Sequence, residues 1–180
     1  PQRARRFAQA TGTLAKTDRI DASLLARMAD TLQPPVRAAP SATQMQLAEL
    51  VNARDALVRD RTALKNREKN LTVALLKRQC RQRLEQIARH LKALEAEIDA
   101  LIKADEAMAR KQAILASIAG LGTVTANLLL AAMPELGTME SKQAAALAGL
   151  APITRQSGQW RGKSFIQGGR ATVRRALYMP

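Results

Sequence analysis

Aromatic residues make up only 2% of this 180-residue chain, although 47% of it is apolar. A core must therefore draw on Leu, Ala, Ile and Val, which suits packed helices better than a sandwich or barrel. A single cysteine, Cys80, excludes an internal disulfide and fits a reducing cytoplasm. No apolar run approaches the roughly 18 residues of a membrane span. The opening PQRARRF has no apolar stretch behind its basic residues, so it does not read as a signal peptide. Histidine is missing where a Ser-His triad would need it, since the single one, His90, falls between apolar seam positions of a helical region and is expected to face solvent. Acidic residues are missing from one end: no Asp or Glu follows Glu140, whereas seven Lys or Arg do.

What is abundant is positive charge. There are 29 Lys and Arg against 15 Asp and Glu, a formal net charge of +14. Such an excess repels itself in a compact fold, and a polyanionic partner accounts for it better than solubility alone or a membrane surface. The chain opens at Pro1 and stops at Pro180 straight after a helical pattern, so a fragment of a longer protein is expected.

The expected fold class is mainly α, in four regions. Residues 1–33 carry two short helical patterns broken by TGTLAKT, and residues 34–41 form a proline-rich linker. Residues 42–112 contain no Gly or Pro. There Leu50, Leu57, Leu64 and Leu71 recur every seven residues, and Leu84, Ile87, Leu91, Leu94, Ile98 and Leu101 follow a 3-4 spacing. That pattern predicts coiled-coil packing, as one rod or as a hairpin folded near KRQCRQR, where the seam loses phase. Residues 113–180 predict a small helical domain with a basic end.

Four short stretches could carry chemistry. In SIAGLGTVTANLLL, Gly120 and Gly122 form a Gly-x-Gly turn, and a new helix opens at about Thr123 with free N–H groups. The spacing resembles a helix-hairpin-helix, which grips a DNA phosphate through backbone amides and reads no sequence. An ordinary tight turn is the alternative. In KTDRIDA, Asp18 and Asp21 are three apart at a helix start and project from one face. Two hard oxygen ligands suit Mg²⁺, but Asp18 as N-cap and Asp21 as a capping-box residue would look the same. In RQSGQWRGK, Ser157 sits among Arg155, Arg161 and Lys163. Without a base it is a poor nucleophile, but the cations could neutralise a phosphate under attack. Alternatively Ser157-Gly158 is only a turn. In GGRATVRRALYM, Arg170, Arg174 and Arg175 follow two glycines and form either a phosphate contact or a solvated face.

Taken in order, ATGTLAKTDRIDASLLARMAD, a long helical segment, and IAGLGTVTANLLL through RQSGQWRGKSFIQGGRATVRRALYM resemble the IS-one-ten group of insertion-sequence transposases. The resemblance implies a RuvC-like DEDD domain, an RNase-H-like α/β fold represented here by its C-terminal remnant, and a C-terminal domain bearing a catalytic serine. KTDxxDA matches Asp18 and Asp21 as two of four Mg²⁺-binding acids, the other two lying outside this chain. RQSG matches Ser157, which would attack a DNA phosphodiester and form a phosphoserine link. The resemblance also implies donor and target double-stranded DNA, a structured noncoding guide RNA, and dimers or tetramers bridged by the coiled coil. It further implies a cytoplasmic, nucleoid-associated bacterial location. The fragment by itself is expected to bind nucleic acid without catalysing transposition. Two rival readings keep the DNA and drop the serine chemistry: a binding module on a dimerising coiled coil, and a junction-resolving metal nuclease.

Overall fold

The fold comes from a computed structural model that describes residues 2–13, 15–34 and 39–178. Helices dominate, and the chain divides into two compact units, residues 1–39 and 40–180. Half of the proline-rich linker (35–38) lies outside the described residues.

The first unit is a pair of helices, α1 (Gln2–Ala10) and α2 (Asp18–Leu32), packed on each other. Among its described residues there is no strand, and the α/β character expected of this part does not appear in them. Thr17 caps α2, its hydroxyl accepting from the Ile20 N–H at 3.3 Å. Asp18 is therefore not the N-cap that the sequence suggests. It and Asp21 occupy the first helical turn, where carboxylates face the positive end of the helix dipole.

The second unit opens with α3 (Ala42–Glu68) and α4 (Ala74–Ala104), joined by a short turn into an antiparallel hairpin. Opposite arms are tied by Arg54 to Glu95 at 2.7 Å, Arg81 to Glu68 at 3.2 Å, and the Cys80 thiol to the Leu64 carbonyl at 3.6 Å. Of the two expected geometries the chain takes the hairpin, but the bend lies at 69–73, before KRQCRQR. Helix α4 runs through that stretch because buried Cys80 fills the seam position. The buried seam of α4 is Cys80, Ile87, Leu91, Ile98 and Ile102, spaced seven and four. In α3 the fully buried positions are Leu47 and Val51, and the leucines of the seven-residue repeat are only half-buried.

Asp105 ends the gap-free segment early. Its carboxylate accepts from the Met108 N–H at 3.0 Å and starts α5 (Glu106–Ala116). Helix α6 (Thr123–Ala132) then turns back onto the open end of the hairpin. Leu130 joins Leu47, Val51, Ile98 and Ile102 in one buried cluster, so residues on both sides of position 112 share a core. Gln44 donates to the Leu130 carbonyl at 2.9 Å, and Gln112 to the buried Asn127 at 2.6 Å, fixing α6 against α3 and α5.

Helix α7 (Ser141–Ala148) starts on a capping box of Glu140 and Gln143 and stops at Gly149, whose φ of 74° only glycine adopts readily. A two-part β-ribbon follows. Its base pairs β1 (Pro152–Ile153) with β4 (Phe165–Ile166), and its tip pairs β2 (Gln156–Ser157) with β3 (Trp160–Arg161). The ribbon was not expected from the sequence, which predicted helices and turns here. Helix α8 (Ala171–Ala176) closes the chain on a second cluster of Leu129, Met133, Ala148 and Val173.

Candidate nucleic-acid interface

Ser157 lies at the tip of the ribbon, exposed, and opposite Trp160 in the register. Gly158, φ 56°, takes the first of the two turn positions between them. Ser157 is thus the last strand residue before the turn, presented to solvent with its backbone held in a ladder. Around it are the exposed cations Arg155, Arg161 and Lys163. The ribbon has its own small packing: the Arg155 guanidinium lies 4.5 Å from the Phe165 ring centroid, and the Gly162 N–H donates to the Arg155 carbonyl at 2.9 Å. A cation over an aromatic face is attracted by the ring quadrupole. Arg155 therefore stiffens the ribbon while remaining exposed.

Sequence reasoning passed over Trp160. It is 59% exposed, and its ring occupies the space that a Cβ on Gly162 would need. Directly paired residues of an antiparallel ladder share a face, so Trp160 and Ser157 project to the same side. The signal was available: the single tryptophan of the chain stands three residues after the serine in a run of cations.

The three arginines at the end of the chain do different work. Arg170 is the N-cap of α8, so it does not share a helical face with Arg174. Its guanidinium donates to both Glu135 oxygens, at 2.6 and 2.7 Å, and to the Ala132 carbonyl at 2.6 Å. The hydrogen bond to Glu135 raises its pKa, against the opposing effect of burial. This side chain ties α8 to the end of α6 and to the turn that follows it. Arg174 is half-buried and donates to the Gly168 carbonyl at 2.8 Å. Arg175 is exposed. Of the glycine pair preceding them, Gly169 serves close packing: a Cβ there would meet the Gly149 backbone, and one on Gly149 would meet Arg174 and the Gly168 carbonyl.

At the Gly-x-Gly turn, Gly120 takes φ 90° and Gly122 is the N-cap of α6 without a side-chain cap bond. Thr123 and Val124 are exposed. The cleft of about 260 Å³ beside this turn is lined by Asp55, Glu95 and Asp99 as well as Arg54, which is already paired with Glu95. An anion reaching the N–H groups of Gly120, Gly122 and Thr123 must approach from the side away from those carboxylates.

In the first unit, Asp21 lines a cavity of about 620 Å³ together with Arg5, Lys16 and Leu24, and Asp18 lies outside that lining, exposed. No group of three or more His, Cys, Asp or Glu able to hold a metal occurs among the described residues. Two carboxylates one turn apart fit a Mg²⁺ that keeps waters and takes phosphate oxygens, and they do not form a cage.

Comparison with known proteins accounts for both ends of this arrangement. Residues 112–180 match the family described as Transposase IS116/IS110/IS902, and residues 1–77 match the DEDD-type transposase domain of IS110 elements. Both matched stretches are thus similar to transposase domains of IS110-type elements. It is 30% identical over 177 residues to a pilin gene-inverting protein of Moraxella bovis, and 29% identical over 177 residues to that of Moraxella lacunata. In each case 97% of the chain is aligned, and it spans 55% of the relative's length. No helix among the described residues is long and apolar enough to cross a membrane.

Proposed function

We propose that the protein to which these domains belong is a DNA transposase or recombinase, and that Ser157 is its nucleophile. The observation carrying this reading is the presentation of Ser157: a solvent-facing hydroxyl at the tip of a basic ribbon, in a segment that matches a transposase family. The names of the two Moraxella relatives, which refer to gene inversion, fit rearrangement of DNA.

In the proposed step, the Ser157 Oγ attacks a backbone phosphorus. A Ser–O–P bond forms, the P–O bond to a deoxyribose oxygen breaks, and that oxygen takes up a proton as the Oγ proton is lost. Rejoining is the same exchange with a different deoxyribose oxygen attacking. Arg161 and Lys163 would offset the charge growing on the phosphate oxygens, with Arg155 beside them. Arg174, Arg175 and the amides of Gly120, Gly122 and Thr123 would hold flanking phosphates, fixing register without reading sequence. Asp18 and Asp21 would hold Mg²⁺ with further acids from outside this chain. The ion would supply Lewis-acid polarisation of the phosphate. The α5–α6 connection would then act as a helix-hairpin-helix and the α3–α4 hairpin as a coiled coil joining subunits. A structured guide RNA, an assembly of two or four subunits, and a cytoplasmic, nucleoid-associated setting complete the proposal.

The test is covalent capture. The complete protein with Ser157→Ala should lose the denaturation-resistant DNA adduct and recombination together while keeping its affinity for DNA. If that variant recombines DNA at the normal rate, the nucleophile is elsewhere.

A further inference from the structure

The hairpin gathers charge that the sequence keeps apart. Its turn at 69–73 brings residues 61–69 and 77–83 to one closed end. Residues 61–83 hold eight Lys or Arg and one Glu, half of the net charge of +14 in 23 residues. Lys65, Arg67, Lys69, Arg78, Arg81 and Arg83 are exposed, and Glu68 is engaged with Arg81. Folding does not explain this. Cations at the end of α3 suit its dipole, but Lys77 and Arg78 stand at the start of α4, where they oppose it. That helix begins with no acidic residue in its first turn and no side-chain cap. The rest of α4 is ordinary by contrast, with Glu85, Glu95, Glu97 and Asp99 among its basic residues.

We propose that this closed end is a second nucleic-acid-binding surface, separate from the serine ribbon, which grips the phosphodiester backbone of a duplex. Multiple cations on two arms of a rigid hairpin fit a backbone contact that releases counterions and reads no sequence. The test compares two triple reversals in the complete protein. Lys69→Glu, Arg78→Glu and Arg83→Glu alter the closed end; Arg89→Glu, Lys92→Glu and Lys103→Glu remove the same charge from exposed positions further along α4. Binding is followed by anisotropy with a labelled DNA duplex of mixed sequence, a double-stranded RNA of equal length, and phosphatidylserine vesicles. The closed-end variant should lose at least about ten-fold more affinity than the other, and its salt slope should fall by about two to three units. The DNA and RNA arms tell which duplex the surface holds. Equal losses from both variants, or loss of vesicle binding with both duplexes retained, overturn the proposal. Should the reversals lower the melting temperature, the Lys69→Gln, Arg78→Gln and Arg83→Gln variant is read against Gln at the three control positions.

A different observation carries a second inference. Trp160 shares a ribbon face with Ser157, is 59% exposed, and has the edge of its ring against Gly162, where any side chain would displace it. A large ring held there stabilises no core. We infer that Trp160 stacks on an unpaired base next to the phosphate presented to Ser157. This rests on the proposed role of the ribbon, but not on the chemistry of the serine. Base–aromatic stacking tolerates any sequence and suits a strand opened for exchange. Emission of the complete protein minus that of its Trp160→Phe variant isolates this ring. It should be quenched by a short single-stranded DNA and unchanged by an abasic strand of the same length and charge. Trp160→Ala should bind the single strand roughly ten-fold more weakly, with Trp160→Phe in between. Quenching by the abasic strand, or equal affinity of all three proteins, overturns the inference. Ser157→Ala should keep the quenching and lose the adduct, so the two ideas can fail separately.

Discussion

The ribbon and the helix that follows it are both basic and adjacent in sequence, yet they use their arginines in opposite ways. Around α8, Arg170 is half-buried, bonded to both oxygens of Glu135 and to the end of α6, and Arg174 is turned back onto the Gly168 carbonyl. On the ribbon, Arg161 at the end of β3 and Lys163 in the link to β4 are both exposed. The difference teaches that a cluster of cations is not one feature. The carboxylate partner comes from the turn after α6, so counting acids along the sequence near Arg170 overlooks the one that matters, 35 residues earlier.

The comparison breaks if the two kinds of arginine respond alike to removal. The largest effect on stability is expected at Arg170→Ala, which removes the guanidinium bonds to Glu135 and to the Ala132 carbonyl that tie α8 to the end of α6. About 2–4 kcal/mol should be lost in urea unfolding, since a partly buried, two-pronged charged contact and a bond to a backbone carbonyl go together. Arg170→Lys should recover only part, because an ammonium does not reproduce the two-pronged contact. Next comes Gly169→Ala. The added methyl must enter the Gly149 backbone from a residue at φ 65°, so about 2 kcal/mol should be lost, read as a lower urea midpoint at constant slope.

Legibility followed the same division. The helical class, the α3–α4 pair and the α5–α6 turn were readable because apolar spacing and the two glycines report local geometry. The position of the hairpin bend was not. No Gly or Pro marks residues 69–73, and Cys80 disguised a seam position that keeps α4 in phase. Asp105 was hidden for a similar reason, being one more charged residue in a charged helix until its cap bond to Met108 is seen. The ribbon escaped because its strands are two residues long and exposed, too short for an alternating pattern. At the candidate site, residue types were legible and their commitments were not: Ser157 and its cations fall together on one exposed ribbon, whereas the contacts of Arg170 and Gly169 depend on Glu135 and Gly149, which no local motif connects to them.

Arg161→Ala sharpens the comparison from the other side and carries the smallest expected effect on folding. Arg161 is exposed and pairs only through its backbone with Gln156, so unfolding free energy should change by less than about 0.5 kcal/mol. DNA affinity should nevertheless fall, with the salt slope dropping by about one unit if one phosphate contact is lost. Arg170→Ala is expected to do the reverse: once the protein is measured well below its lowered midpoint, the slope should be unchanged, because that guanidinium already holds a carboxylate. A stability loss at Arg161 with an unchanged slope would mean that the ribbon is a structural strut, and that its cations serve the fold as Arg170 does.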